Sequence, residues 1–353
     1  MTQQLRSLPP LMVMNDSTPV RTPDDWRARR RELIEILSRE EYGFTPAAPA
    51  SVRAEMISSE RAFAGKAIQS RIKLSFDTPN GEFSFPVNLV VPENKENVPA
   101  FVAICFRPEI PDKYLPAEEI IDRGFAFASF YYNDVTVDGP EMDGIAAMYP
   151  VDPATGWGKI GMWAFSASRV LDYIETLPEI DPSRVAVIGH SRLGKTALWC
   201  AAQDERFSMA ISNDSGCSGA AISRGKVGED IQAITNRFPY WFCGNYKAWV
   251  GREWDAPFDQ HFLLALVAPR ALYVCSATED EWADPNSEYL CSIAASEAWR
   301  LLRRPGLIGP DALPAPDMPF HAGSVAYHLR TGAHFLSRSD WGWHMEYREK
   351  HGV

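Results

Sequence analysis

A serine flanked by two cations is the residue of this chain best placed to do covalent chemistry. Ser191 lies in the segment Gly189–Lys195, after the apolar run Val185–Ile188 and before the apolar segment 196–202. This order predicts a strand, a tight turn and a helix, with the serine hydroxyl exposed at the apex. Amide groups at the start of the helix would face the position where an oxyanion forms. We therefore expect Ser191 to be the nucleophile of an acyl transfer to water.

The predicted turn departs from the common G-x-S-x-G pattern at one position. Leu193 stands where the second glycine is expected, and Gly194 follows one residue later. Because a bare G-x-S match is frequent by chance, the assignment depends on the flanking strand and helix and on the partners of the serine farther along the chain.

A serine nucleophile in such a fold needs a histidine base after the last strand. His334 fits, because it follows the apolar run Val325–Arg330, the last strand that the pattern predicts. The other six of the seven histidines lie beside the serine, in an insertion, before or within the last strand, or on the closing helix. We expect the side chain of His190 to point away from Ser191.

The acid that supports the histidine has two candidates. The loop Thr278–Asp284 offers four carboxylates after the strand Ala271–Ser276, and Asp214 follows the strand Met209–Ser212. Both loops lie at the same end of a parallel sheet, so either carboxylate could orient the imidazole and stabilise its charged form. We favour Asp280 and keep Asp214 as the alternative.

The order of the predicted elements indicates an α/β fold. Strands and helices alternate through the later part of the chain, which predicts a doubly wound, mainly parallel sheet between two helical layers. The hairpin formed by Ile68–Phe76 and Phe83–Val91 fits antiparallel strands at one edge, the layout of an α/β-hydrolase. We expect a single domain over 1–353, with an irregular N-terminal segment and helix over about 1–50 and an active-site insertion over about 215–270.

Apolar periodicity places the remaining elements. Helices are expected at Asp24–Glu41, Gly156–Leu177, Asn286–Arg303 and Asp340–His351, and two more buried strands at Phe101–Phe106 and Ala126–Tyr131.

The composition argues against several classes of function. A formal net charge of −11 and a pI near 5.2 argue against nucleic acid and anionic membrane surfaces as partners. No apolar run is long enough to span a bilayer. The six cysteines form no C-x-x-C pair, so we expect no metal site, and we expect no cofactor. The first residues lack a secretory signal, which favours the cytoplasm, or secretion if this is a mature form. We expect a monomer.

An ordered series of short motifs extends across the second half of the chain. The motifs are Ser183–Lys195, Asp204–Phe207, Asn213–Gly216, Gly228–Glu229, Pro239–Phe242, Asp259–His261, Ala268–Arg270, Glu279–Pro285, Gly332–His334 and Asp340–Trp341. Over about residues 85–350 the chain resembles the glucuronoyl esterases of carbohydrate esterase family 15, especially the bacterial branch. Members of that family cleave the ester between 4-O-methyl-glucuronic acid on xylan and alcohols of lignin, and they need no metal.

The resemblance implies roles for residues around the serine. Arg192 would stabilise the oxyanion through its backbone amide and its guanidinium, and Lys195 would contact the hydroxyls of the uronic acid ring. Glu229 and Trp282 would line the sugar site. The family carries a glutamate at the position of Asp214, whose side chain is one methylene shorter, and often a glutamine at the position of Ala221.

The residue types themselves agree with part of this assignment. Two cations on the first turn of a helix oppose its dipole, which suggests an anionic or hydroxyl-rich ligand or a developing oxyanion. The alternative is a solvated, salt-bridged pair on the surface. Trp241, in the insertion, could stack on a sugar face or simply pack.

We therefore expect a serine esterase that hydrolyses 4-O-methyl-glucuronoyl esters, as in lignin–xylan cross-links, through an acyl-enzyme. The expected partner is a glucuronate-ester carbohydrate. An acetyl-xylan or other small-acyl carbohydrate esterase is the alternative, and a non-catalytic, carbohydrate-binding relative of the hydrolases is the third hypothesis.

Overall fold

The computed structural model describes residues 7–353. The strands in this range are β1 (Arg53–Ala62), β2 (Ala67–Thr78), β3 (Gly81–Pro92), β4 (Val98–Cys105), β5 (Ala126–Tyr131), β6 (Ile180–His190), β7 (Met209–Asn213), β8 (Ala271–Ala277) and β9 (Val325–Arg330). The α-helices are α1 (Pro23–Leu37), α2 (Ala117–Asp122), α3 (Tyr132–Val135), α4 (Lys159–Ile174), α5 (Arg192–Gln203), α6 (Ile231–Arg237), α7 (His261–Ala265), α8 (Pro285–Leu301) and α9 (Arg338–His351).

All nine of these strands belong to one sheet, in the order β1-β2-β3-β5-β4-β6-β7-β8-β9. The first three strands and the β3–β5 pair are antiparallel, and every later pair is parallel. The predicted fold class, a mainly parallel α/β sheet with an antiparallel edge, is confirmed. Because β6 to β9 run parallel, their carboxyl ends meet at one edge, and the loops that follow them can form one site.

Two hydrophobic clusters cover the two faces of the sheet and give the protein its three layers. One cluster contains the indoles of Trp163, Trp199 and Trp299, which come from α4, α5 and α8. The other contains Ile120 from α2 and Trp341 from α9. Both faces of the parallel strands are therefore buried, and this explains why these strands appear in the sequence as short continuous apolar runs.

Two features of the sheet differ from the prediction. β1 was missed, because all of its residues except the last are exposed and it carries no apolar alternation. β6 begins at Ile180, five residues before the predicted start at Val185. Ile180 is buried, but residues 181–184 are exposed or half-buried and contain no apolar run, so they lack the signal of the buried half.

The insertion over about 215–270 contains helices and loops and, among the residues that the structure describes, no strand of the sheet. It holds α6, a 3₁₀ segment over Gly244–Trp249, and α7. The six cysteines, all within the described range, are free, so Cys217 and Cys243 form no disulfide. Between residues 7 and 353 no helix is both long and apolar enough to cross a bilayer.

The turn between β6 and α5 holds Ser191 at φ 57° and ψ −125°, a backbone conformation that costs energy for a residue with a side chain. The amide of Ser191 donates to the carbonyl oxygen of Asn213 on β7 at 2.8 Å. A Cβ atom at Gly189 would lie 2.0 Å from the carbonyl oxygen of Leu193. The turn can therefore close only when residue 189 has no side chain.

The shifted glycine of the motif also has a packing reason. Gly194 lies against β7, since a Cβ there would approach the Ser212 hydroxyl oxygen to 3.0 Å. Leu193, at the position where glycine is usual, is fully buried in the core beneath α5. The departure from G-x-S-x-G thus exchanges a glycine for a core leucine without opening the turn.

We predict that Gly189→Ala lowers the free energy of unfolding by about 3 kcal/mol or more, because the new methyl group meets backbone atoms that cannot move aside cheaply. The matched control is Gly342→Ala on α9, where nothing lies within 4 Å of the added Cβ. Urea unfolding monitored by tryptophan fluorescence would compare the two variants. Equal unfolding midpoints for both variants would contradict this account of the turn.

Candidate active site

Four chain segments leave the carboxyl edge of the sheet and meet at one cleft. Ser191 follows β6, Asp214 follows β7, Asp280 comes shortly after β8, and His334 comes shortly after β9. The cleft has a volume of about 330 Å³. Its lining consists of Ser191, Arg192, Lys195, Asp214, Ser215, Gly216, Glu229, Arg237, Phe238, Trp241, Asp280, Trp282, Ala283 and His334. All nine residues proposed from the sequence for catalysis or substrate binding are in this set.

The imidazole of His334 is hydrogen-bonded to Asp280. The distance from its Nδ1 to Asp280 Oδ2 is 2.6 Å, and the carboxylate is buried while the imidazole is 43% exposed. Burial alone would raise the pKa of Asp280, but the hydrogen bonds from His334 and from the backbone amide of Ala283 hold it below its usual value. A charged carboxylate can only accept, so Nδ1 carries the proton and Nε2 is left free to accept one.

Asp214 has a different set of partners. Its Oδ2 accepts a hydrogen bond from the backbone amide of Phe335 at 3.2 Å and lies 3.9 Å from the guanidinium of Arg330. Burial and the charges of neighbouring carboxylates raise the pKa of Asp214 well above its usual value. Asp214 therefore fixes the backbone next to His334, whereas Asp280 contacts the imidazole itself.

The loop that carries His334 is held by an arginine. The Arg330 guanidinium donates to the carbonyl oxygens of Thr331, Ala333 and Phe335 at 2.8–3.0 Å. Its Nε donates to Asp340 Oδ2 at 3.0 Å. Three carbonyls around His334 are thus tied to one side chain.

Asp340 is in turn fixed by a histidine of the last strand. His328 Nε2 lies 2.7 Å from Asp340 Oδ1, and His328 Nδ1 lies 2.9 Å from the hydroxyl of Tyr273. Burial lowers the pKa of His328, so the ring is neutral, accepts from the tyrosine and donates to the carboxylate. The arginine that holds the His334 loop is therefore anchored in the core.

Arg192 lies in a cage of one carboxylate and several aromatic rings. Its guanidinium is paired with Asp138 and lies 4.8 Å from the centroid of Trp241 and 5.2 Å from that of Phe238. Trp241 Nε1 donates to the same carboxylate at 2.6 Å. The side chain of Arg192 is only 23% exposed, which excludes the alternative of a solvated surface cation.

Trp241 itself is a packing residue more than an open platform. It is 3% exposed, and Phe238 stacks on it with the ring centroids 3.7 Å apart and the planes 2° from parallel. With Arg192 also against the ring, little of its surface is left for a sugar. These contacts favour the second of the two alternatives, in which Trp241 packs against its neighbours.

Lys195, the second cation on the first turn of α5, is buried at the floor of the cleft. Its ammonium donates to the carbonyl oxygen of Ser215 and lies 4.0 Å from Glu229 Oε2. Both side chains are at least 90% buried, so this pair is also no surface salt bridge. A buried ammonium beside a carboxylate presents one donor group and one acceptor group to whatever fills the cleft.

Trp282 is the open aromatic ring of the site. It is 51% exposed at the cleft, and the neighbouring backbone amide of Glu229 donates to its carbonyl oxygen at 3.0 Å. An exposed indole at a rim provides a flat apolar face on which a sugar ring can stack.

The chain is similar to known carbohydrate esterases. The family model described as glucuronyl esterase of fungi matches residues 72–303. A carbohydrate esterase from an unknown prokaryotic organism is 34% identical over 98% of this chain and 89% of its own length. This chain belongs to the glucuronyl esterase family.

Two further relatives support the assignment. The 4-O-methyl-glucuronoyl methylesterase of Podospora anserina is 30% identical over 82% of this chain, which spans 59% of that longer protein. The solved structure of a promiscuous esterase of carbohydrate esterase family 15, from a marine bacterial metagenome, superposes with a TM-score of 0.91 at 33% identity. That alignment covers 98% of this chain and 97% of the other. The predicted family is confirmed, and the esterase is a carboxylic ester hydrolase.

Several residues that the structure places here received no site role from the sequence, among them Asp138, Arg237, Phe238 and His190. Asp138 pairs with Arg192 from a loop that follows α3, and Arg237 and Phe238 line the cleft at the end of α6. His190, which we expected to point away from the serine, lies with its ring centroid 4.4 Å from that of His334. Asp138 lies a few residues past β5, so the strand-end rule used for the acids could have found it. No local pattern marks the other three.

Asp340, the carboxylate that holds Arg330 beneath the His334 loop, should make the stability of the esterase depend on pH in acid. Burial would raise the pKa of Asp340, but the hydrogen bond from His328, the charge of Arg330 and the backbone amide of Ser337 lower it from 3.8 to about 2. A lowered folded-state pKa stabilises the fold above the unfolded value and stops doing so as the pH falls through the folded value.

We therefore expect about 2 kcal/mol of stability to disappear between pH 3.8 and pH 2. Asp340→Asn should unfold more readily at pH 6, and the gap to the parent protein should narrow across that window. Asp24→Asn, at an exposed carboxylate, is the control and should leave the pH dependence unchanged. A constant gap between the Asp340 variant and the parent from pH 6 to pH 2, in urea titrations, would contradict the assignment.

Proposed function

We propose that the esterase hydrolyses glucuronoyl esters through an acyl-enzyme on Ser191, with His334 as the general base and Asp280 as its supporting acid. The observation that carries this proposal is the 2.6 Å hydrogen bond from His334 Nδ1 to Asp280 in the cleft that Ser191 also lines. That bond leaves Nε2 of the imidazole as the proton acceptor for the serine hydroxyl.

The reaction follows from these positions. Ser191 Oγ attacks the ester carbonyl carbon while its proton passes to His334 Nε2, and the tetrahedral intermediate collapses as the alcohol leaves with that proton. Water then attacks the acyl-serine, and the imidazole takes a proton from the water and returns one to Ser191 Oγ. The products are the free uronic acid and the alcohol, and Asp280 stabilises the imidazolium in both steps.

Arg192 is assigned to the oxyanion. As the first residue of α5 it contributes one of the helix N–H groups that have no partner within the helix. Its guanidinium is held by Asp138 and by the rings of Phe238 and Trp241. Its positive charge is therefore in place before the reaction begins. Donors fixed in advance stabilise a developing oxyanion more than mobile donors do.

Lys195, Glu229 and Trp282 are assigned to the uronic acid ring. The ammonium of Lys195 and the carboxylate of Glu229 offer a donor and an acceptor to sugar hydroxyls, and the exposed face of Trp282 offers a stacking surface. The two relatives named above for carbohydrate and 4-O-methyl-glucuronoyl esters support this substrate class. Esters between 4-O-methyl-glucuronate on xylan and lignin alcohols are the proposed natural substrates.

The roles of the two acids can be separated by substitution. We expect Ser191→Ala to abolish ester turnover and Asp280→Asn to lower kcat by about 10²–10⁴-fold, because the imidazole loses the acceptor that fixes its proton on Nδ1. Asp214→Asn is the matched control, and we expect less than about a tenfold loss because its carboxyl group contacts a backbone amide. Hydrolysis of benzyl glucuronate at pH 7 provides the rates. Equal losses in the two asparagine variants would contradict the assignment of Asp280, and turnover by Ser191→Ala would contradict the nucleophile.

The substrate class is tested at Lys195. A uronate ester places ring hydroxyls against this ammonium, whereas a small acyl group does not reach it. Lys195→Ala should therefore lower kcat/KM for methyl glucuronate by at least about tenfold, since a hydrogen bond to a charged group contributes about 1.5–3 kcal/mol. Hydrolysis of 4-nitrophenyl acetate by the same variant is the internal control and should change far less, because the acetyl group does not reach this ammonium. An equal loss on both substrates would favour a small-acyl esterase.

A further inference from the structure

His190 is the buried, titratable residue of the site to which the mechanism above gives no role. It is the last residue of β6 and is 4% exposed. Its ring centroid lies 4.4 Å from that of His334, with the two planes 40° apart. The ring also contacts the rings of Tyr114 and Phe106, whose centroids lie 5.5 Å and 6.0 Å from its own.

The ring of His190 is fixed in one orientation. Its Nδ1 lies 2.5 Å from Asn213 Oδ1, and the amide nitrogen of Asn213 faces Cys275 Sγ at 3.3 Å. Because the amide nitrogen donates to the sulfur, Oδ1 is the acceptor and His190 Nδ1 carries the proton. The residue that orients His190 is therefore on β7, inside the sheet.

The ring is also uncharged. Burial and the charge of His334 lower the pKa of His190 to about 3, and the nearest carboxylate, Asp214 Oδ2, lies 4.0 Å from its Nδ1. When His334 takes the serine proton, its neighbour is then a neutral aromatic surface, which attracts a cation where a second imidazolium would repel it.

His334 needs such a neighbour because its other supports leave one motion free. The single hydrogen bond to Asp280 fixes the position of Nδ1, and Arg330 and Asp214 fix the backbone on either side. None of these contacts stops the half-exposed ring from tilting about the hydrogen bond. A rigid ring 4.4 Å away does, because tilting toward it closes the van der Waals gap.

We propose that His190 is a positioning residue that holds the imidazole of His334 in its catalytic orientation through ring contact. The proposal rests on the proposed function of His334 as the base. It assigns the effect to the aromatic ring of His190 and not to the hydrogen bond that its Nδ1 makes.

Two substitutions separate the ring from its hydrogen bond. His190→Phe keeps an aromatic ring and loses the bond to Asn213, so kcat on benzyl glucuronate should stay within about threefold of the parent value. His190→Leu keeps apolar volume and loses the ring. We expect it to lower kcat by about 10–100-fold with little change in KM, since small misplacements of a catalytic group cost rates of that order. If His190→Leu does not fold, His190→Met takes its place.

The control for loss of any buried histidine is His261→Leu. His261 is buried on α7, and its Nε2 contacts the carbonyl oxygen of Pro9 at 3.0 Å. This variant should lower the Tm and leave kcat unchanged. Rates are expressed per active site, counted by covalent labelling of Ser191 with a fluorophosphonate, so that unfolded protein does not contribute.

A second readout reports the orientation of His334 directly. The proton on Nδ1, in its short hydrogen bond to Asp280, should give a low-field NMR resonance in the parent and in His190→Phe, and it should broaden or vanish in His190→Leu. A parent-like kcat and resonance in His190→Leu would overturn the proposal. A loss of kcat in His190→Phe as large as in His190→Leu would also overturn it, because the hydrogen bond would then carry the effect. Failure of the parent to label at Ser191 would instead count against the proposed function.

Discussion

The backbone of Ser191 is the constraint on which the rest of the site depends. The residue sits at positive φ, and this strained conformation persists because its surroundings leave no alternative. Its amide is bonded to β7, Gly189 allows the chain to pass against Leu193, and the leucine is locked in the core. The hydroxyl, the first turn of α5 and both cations on that turn take their positions from this one residue.

Around this fixed point the charged groups are paired before any substrate arrives. Arg192 is paired with Asp138, Lys195 lies beside Glu229, and His334 is bonded to Asp280. Burying single charges would be costly, but each pair compensates much of the desolvation and holds its members in one orientation. The energy of folding thus supplies the preorganisation that the proposed oxyanion and imidazolium would require. Removing Asp138 or Glu229 would leave the mostly buried charge of Arg192 or Lys195 without its carboxylate.

The sequence predicted those parts of the fold whose residues are buried on both faces. β5 and β9 lie where predicted, since their apolar runs end where burial ends. β1 could not be found, because a strand exposed on both faces has no hydrophobic pattern. Ser191 and His334 were found because the carboxyl ends of parallel strands meet at one edge.

The remaining parts of the site depend on contacts that no local pattern encodes. The loops that carry Asp214 and Asp280 both leave the carboxyl edge of the sheet. Only the path of each loop decides which carboxylate reaches the imidazole of His334. Asp214 adopts φ 46°, and its carboxylate is bonded to the backbone of Phe335. Arg330 and His190 were given no role in the site because the sequence shows them only as members of apolar strands. Their roles arise from the loop and the ring that pack against them in three dimensions.

The central claim is that Ser191 carries the uronoyl group during turnover, and rapid acid quench followed by peptide mass spectrometry tests it most directly. During hydrolysis of benzyl glucuronate, the peptide that contains Ser191 should gain the mass of one glucuronoyl group. Any burst of benzyl alcohol before steady turnover should match the amount of this adduct. An adduct on any other residue, or a burst without an adduct on Ser191, would contradict the account.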